Sequence, residues 1–181
     1  KLNIKNVFPT YIYNPQLHNP EGTYWLTNPI NSRFIFCEEK SGLIEFESNR
    51  FGLRSINNKD EQNNFKFIFV GDSLTEGACV SDKSTIPSYF SFLRKDKVLN
   101  AGRSNSGPLF QLALASELLN YNNKIEKIFA DEAKFIWITF AGNDLLNLVE
   151  EKTTLLSNYM KDGYSQDYFQ NIDSLSEKQK I

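Results

Sequence analysis

With 181 residues and 20.9 kDa, the chain is long enough for one domain with a real core. A composition 40% hydrophobic and 14% aromatic excludes intrinsic disorder. The net charge of -2, with no block of Lys and Arg, carries no electrostatic footprint of nucleic-acid binding. No apolar run approaches the roughly 20 residues that span a bilayer. The first residue is Lys1 rather than Met, so an upstream signal peptide or membrane anchor stays open.

Residues 1–64 read as an irregular arm. Pro9, Pro15, Pro20 and Pro29, among many Asn, interrupt regular structure. Within the arm, "FIFC" (34–37) and "LIEFE" (43–47) flank "EEKSG", the pattern of a β-hairpin. "SNRFGLRS" and a polar Asn-rich loop then lead to residue 65, where an α/β domain is expected to begin. The only two cysteines, Cys37 and Cys79, read as separate, partly buried thiols. A disulfide between them becomes plausible only for an exported protein. No His, Cys or carboxylate cluster has ligand spacing, so neither a metal nor another cofactor is called for.

"FKFIFV" (65–70) is a nearly continuous apolar run, the pattern of a strand covered on both faces. "STIPSYFSFLRK" (84–95) has apolar residues near helical spacing, with Ser84 and Thr85 as N-cap candidates. "VLNAG" (98–102) reads as a second strand. "PLFQLALASELLNY" (108–121) reads as a helix with Pro108 in its first turn. "KFIWITF" (134–140) reads as a third strand, followed by "AGND" and the helical "LLNLVEE". This alternation predicts a parallel α/β sheet with right-handed crossovers. A doubly wound, flavodoxin-like sheet needs about five strands, and no further buried-strand pattern follows Asp144. The expectation is therefore a three-layer α/β/α domain over 65–181 that is incomplete at its C-terminus, with the third strand left as an open edge.

Chemistry in open α/β sheets gathers at the carboxyl ends of the strands. Here those ends read "GDS", "NAG" and "AGND". The phosphate loop G-x-x-x-x-G-K-[ST] and the dinucleotide motif G-x-G-x-x-G are absent. The elbow G-x-S-x-G fails because Thr75 stands in place of its last Gly. Over about residues 65–148 the chain resembles the SGNH, or GDSL, hydrolase family. "FVGDSLTEG" is similar to the first block of that family, "VLNAG" to the second and "AGND" to the third.

The resemblance implies a serine esterase with Ser73 as nucleophile. Its oxyanion hole would be built from the Ser73 N–H, the Gly102 N–H and the Asn143 side chain, with Gly71, Asp72 and Asp144 in supporting, structural positions. The family's last block, D-x-x-H, carries the acid and the activating histidine, and it does not occur here. The only histidine, His18, lies in the arm upstream of the nucleophile and reads as a surface residue. One omission, a C-terminal continuation, would account for both the missing strands and the missing base. Two rivals stay open, a catalytically inactive SGNH-like binding module and a structural partner whose open edge pairs with another subunit. A third alternative is a lipid esterase.

The expected substrate is a small acyl ester, in particular acetyl on a carbohydrate, because "TEGACVSDKS", "RSNSGP" and "NDLLN" are mostly small and polar. Tyr11, Tyr13, Tyr24 and Trp25 are candidates to stack on a sugar, although core packing suits most of them better. "SNRFGLRS" looks like the lead-in of exported or membrane-anchored members, which favours an extracytoplasmic location.

Overall fold

The structure, a computed structural model, describes residues 7–9, 22–39, 42–56 and 63–179. His18, Tyr11 and Tyr13 fall outside the described residues. In the arm, β1 (Val7–Pro9) runs parallel to β2 (Arg33–Glu39), which pairs antiparallel with β3 (Gly42–Glu47), as the hairpin pattern predicts. The β2–β3 register shifts between Ile35 and Cys37. Phe34 and Phe46 stack across the hairpin with ring centroids 5.1 Å apart.

The second sheet has three parallel strands in the order β5-β4-β6: β4 (Phe65–Gly71), β5 (Val98–Gly102) and β6 (Phe129–Ile138). The connections are helical. A four-residue helix α1 (Ser73–Glu76) and α2 (Ile86–Arg94) lie between β4 and β5, and α3 (Pro108–Lys124) lies between β5 and β6. Thr85 caps α2 by accepting from the Ser88 N–H at 3.2 Å. Alternate residues of β4 face different helices. Phe67 and Phe69 meet the α2 residue Phe90 at 4.9 and 5.1 Å between centroids. Ile68 and Val70 join the large core that α3 supplies with Leu109, Phe110, Ala113, Leu114 and Leu118.

The third strand begins earlier than the apolar run "KFIWITF" predicts, because "FADEA" is part of it. Phe65 pairs with Phe129 and Phe67 with Lys134, so a register shift absorbs the polar residues between them. No strand pairs with the far side of β6 among the described residues, and Trp137 of that strand, whose indole N–H donates to the Gln111 side chain of α3 at 2.6 Å, is 41% exposed. Beyond it come α4 (Asp144–Glu151), 3-10 turns at Leu155–Met160 and Tyr168–Gln170, and α5 (Ile172–Gln179).

The polar composition of that last segment hides its anchors. Leu156, Tyr159, Tyr168, Phe169 and Leu175 are buried in the main core. The buried Glu117 carboxylate of α3 accepts from the Tyr159 hydroxyl (2.6 Å), the Gln166 N–H (2.6 Å), the Tyr168 N–H (3.0 Å) and the Ser165 hydroxyl. Burial and the Glu117 contact push the Tyr159 hydroxyl well above the usual tyrosine range. The cysteines also depart from the expectation of two separate thiols. Cys37 and Cys79 form a disulfide with Cα atoms 5.6 Å apart, tying the hairpin to the loop after α1. Hairpin packing brings together two residues 42 positions apart, a proximity that a pair of isolated cysteines does not announce.

Candidate functional site at the strand ends

The parallel register places the three motif-bearing strand ends side by side. Gly71 at the end of β4 is the pairing partner of both Gly102 in β5 and Ile138 in β6. Behind Gly71 the chain turns immediately into α1. Asp72 is its N-cap, with the carboxylate accepting from the Leu74 N–H at 3.0 Å, and Ser73 is the first helical residue. Ser73 is half-buried and Asp72 fully buried. A Cβ on Gly71 would sit 2.1 Å from Thr75 Oγ1 and 2.6 Å from the Ile138 carbonyl oxygen, so only glycine lets the strand end fold this tightly under α1.

Gly102 is equally constrained. A Cβ there would lie 2.1 Å from the Glu76 backbone nitrogen, so α1 rests directly on the end of β5. The Gly102 N–H donates to the Asn100 side-chain oxygen at 3.0 Å. The next residues are tied to the same place: the Arg103 N–H donates to the Gly71 carbonyl (3.0 Å), and the Ser106 hydroxyl reaches it at 3.3 Å.

On the third strand end, Asn143 and Asp144 both donate their N–H to the Phe140 carbonyl, at 3.3 and 3.1 Å. The Asp144 carboxylate accepts from the Phe140 N–H at 2.7 Å, which closes the "FAGND" turn and starts α4. Asn143 is the N-cap of α4, yet its side chain makes no capping bond. Asp72 and Asp144 thus perform the turn-closing roles their residue type suggests.

Sequence reading passes over two further acids that the fold draws to this rim. Glu76, 1% exposed, accepts from the Ser104 N–H at 2.7 Å and pairs with Arg103 at 3.6 Å, joining α1 to the loop after β5. Arg103 in turn donates to the Asn28 side chain at 2.5 Å. Glu151, at the end of α4, accepts from the Gly107 and Leu109 N–H groups at 2.6 and 2.9 Å and so caps α3. Burial pushes the Glu151 carboxyl up against the lowering effect of those N–H donors, and the nearby Asp144 charge adds to the rise. A signal was present for Glu76, an acid inside the "DSLTEG" block. None marks Glu151, which sits in an ordinary helical pattern.

Seven buried side-chain polar atoms among the described residues lack a hydrogen-bond partner. Five of them belong to this rim: Asp72 Oδ2, Thr75 Oγ1, Ser104 Oγ, Asn143 Oδ1 and Asp144 Oδ1. Apolar groups flank the same segments, with Leu74, Phe140, Leu145 and Leu146 all exposed. Among the described residues there is no histidine and no group of acids, histidines or cysteines arranged to hold a metal ion. Comparison of the chain with protein-family models, curated proteins and solved structures finds no match.

Proposed function

We propose that the protein is a serine ester hydrolase of the SGNH type, acting on a short acyl ester such as O-acetyl on a carbohydrate, within a flavodoxin-like α/β/α domain. The observation that carries this reading is the delivery of Ser73 at the turn from β4 into α1, where Gly71 pairs with Gly102 of β5 and with Ile138 of β6, the strand that leads on to Asn143. In this reading the Ser73 hydroxyl attacks the ester carbonyl and passes its proton to a base as the new bond forms. The developing oxyanion is held by the Ser73 N–H and the Asn143 amide. Gly102 contributes its N–H once that group exchanges Asn100 for the substrate, and otherwise serves the close approach of α1 to β5. The activating base, carried by D-x-x-H in the family, is not among the described residues. The 181-residue chain by itself is therefore expected to turn over slowly, since general-base assistance is worth about 10²–10⁴-fold.

The same gap supports a second reading, an SGNH-like module that binds acylated ligands without cleaving them. A third reading, a lipid esterase, draws on the exposed Leu74, Phe140, Leu145 and Leu146. The three are separated by one experiment. Hydrolysis of p-nitrophenyl esters from acetyl to palmitoyl is followed with the wild type and Ser73→Ala, in the 181-residue chain and in a form that carries a D-x-x-H block. The esterase reading expects turnover in the second form, fastest on acetyl and abolished by Ser73→Ala. Turnover insensitive to Ser73 overturns it, no turnover in the second form leaves the binding module in its place, and a rate that climbs with chain length replaces acetyl by lipid.

A further inference from the structure

The four residues of α1 close a single helical turn, too short to hold their own shape in water. What fixes the direction of Ser73 must therefore come from the contacts of that turn with the rest of the molecule. Its end is built on one acceptor. Gly77, in the left-handed conformation at φ 89°, and Ala78 both donate their N–H to the Ser73 carbonyl, at 2.9 and 2.8 Å.

We propose that Arg54, in the "SNRFGLRS" stretch of the arm, is the positioning residue of the Ser73 turn. Its side chain is completely buried. Nη1 donates to the carbonyls of Gly77 (2.6 Å) and Glu76 (3.2 Å), and Nη2 donates to that of Val80 (2.8 Å). Nη2 and Nε also reach Asp82 Oδ1 at 2.7 and 3.0 Å. The Glu76 carbonyl and the Gly77 N–H are two ends of one peptide unit, and the Gly77 carbonyl and the Ala78 N–H are two ends of the next. Arg54 thus grips, from behind, the two rigid plates whose front edges bond to Ser73. Each path from the guanidinium to the Ser73 carbonyl crosses one planar peptide, and only the Gly77 backbone bonds join the two.

The remaining contacts suit this role. Asp82 pairs with the buried cation and orients its fork, and the Phe46 ring lies 5.1 Å beneath it. The Cys37–Cys79 bridge holds the same loop two residues beyond Gly77. Lysine cannot replace this arrangement, because a single ammonium group has no planar fork to span carbonyls on both sides.

The proposal rests on Ser73 as the nucleophile for its consequence on rate, but not for the clamp itself, and the test separates the two. Amide hydrogen exchange is measured residue by residue in the wild type, Arg54→Lys and the milder Asp82→Asn, alongside kcat and KM for p-nitrophenyl acetate in the turnover-competent form. The clamp predicts that Gly77 and Ala78 exchange at least about tenfold faster in Arg54→Lys, while Ile68 and Val70 of β4 keep their protection. Asp82→Asn should show the same pattern more weakly, and it carries the test if Arg54→Lys fails to fold. Turnover should fall on the order of 10²-fold in kcat with KM unchanged, the usual effect of displacing a reacting group by about 1 Å. Uniform loss of protection across β4 and α1 would reduce Arg54 to a general stabiliser and overturn the proposal, as would unchanged exchange at Gly77 and Ala78. Wild-type turnover insensitive to Ser73→Ala would remove the esterase reading and leave the exchange result to judge the clamp alone.

Discussion

On the α3 side of the parallel sheet, 22 buried apolar residues among those described form one cluster drawn from the arm, the strands, α3 and the C-terminal segment. On the α2 side the corresponding cluster holds three, Ile56, Phe69 and Val98, with Phe67, Phe90, Ile136 and Ile138 packed at its margin. Outward from it, Ile86, Tyr89, Phe92 and Leu93 of α2 are exposed. The difference teaches that an amphipathic pattern alone does not rank a helix. Both α2 and α3 carry apolar faces, but among the described residues only α3 is overlaid by a second layer, from Leu155 to Gln179. The stability of the domain is therefore vested on one side of the sheet, and the candidate site lies along the rim where both sides meet.

The sharpest test of that asymmetry compares truncations on the two faces. Leu114, fully buried on α3, should cost about 2–5 kcal/mol when replaced by Ala, through lost burial and the cavity left behind. Phe90→Ala removes a larger side chain, yet the half-buried ring should cost only about 1–2 kcal/mol. Urea unfolding of both variants checks this, and equal losses would erase the distinction between the faces.

A smaller effect asks whether the second layer depends on its polar anchor. Glu117→Gln replaces two acceptor oxygens by one and brings an amide N–H against the donors of Tyr159, Gln166 and Tyr168. The expected loss is about 1–3 kcal/mol, with proteolytic nicking appearing between residues 155 and 179 before anywhere in β4. Nicking that starts in α2 would show that the C-terminal layer is held by its aromatics alone.

The smallest effect concerns pH. Glu126 accepts from Arg50 (3.0 Å), Asn63 (2.7 Å) and Tyr121 (2.9 Å), and these bonds, the Arg50 one foremost, hold its carboxyl down at about 2 against the ordinary 4.5. A carboxyl lowered on folding adds stability that is complete above the unfolded value and is lost as pH falls from 4.5 through about 2. The site is partly exposed, so solvent keeps the contribution under about 1 kcal/mol. Tm of the wild type should fall more steeply over that window than Tm of Glu126→Gln, and parallel curves would deny Glu126 any part in acid unfolding.

Much of the sheet was legible because its central strand is covered on both faces. "FKFIFV" and "VLNAG" declare themselves by apolar continuity, and their ends carry the motif residues. The start of β6 was not, since "FADEA" occupies an edge where Asp131 and Glu132 face solvent and break the apolar run. The C-terminal layer was illegible for a different reason. Its burial depends on single anchors such as Tyr159 and Tyr168, whose partner Glu117 is more than 40 positions away. At the site, glycines and acids of the motifs could be placed by type, whereas the Arg54 contacts are to backbone carbonyls, which no side-chain pattern records.

The contacts between arm and C-terminal layer carry a consequence for synthesis. Ile30 donates its N–H to Ser176, Thr27 donates its own to the Tyr168 hydroxyl, and the Thr27 carbonyl accepts from Gln179, across separations of 141 to 152 positions. Such distant pairs close last, because the entropy of the intervening loop must be met first. On the ribosome, Leu26 and the outer side of α3 stay uncovered until nearly all of the described chain has emerged. The interval between translation of α3 and arrival of Tyr168 is thus the stage at which the apolar face of α3 is most open to misassociation.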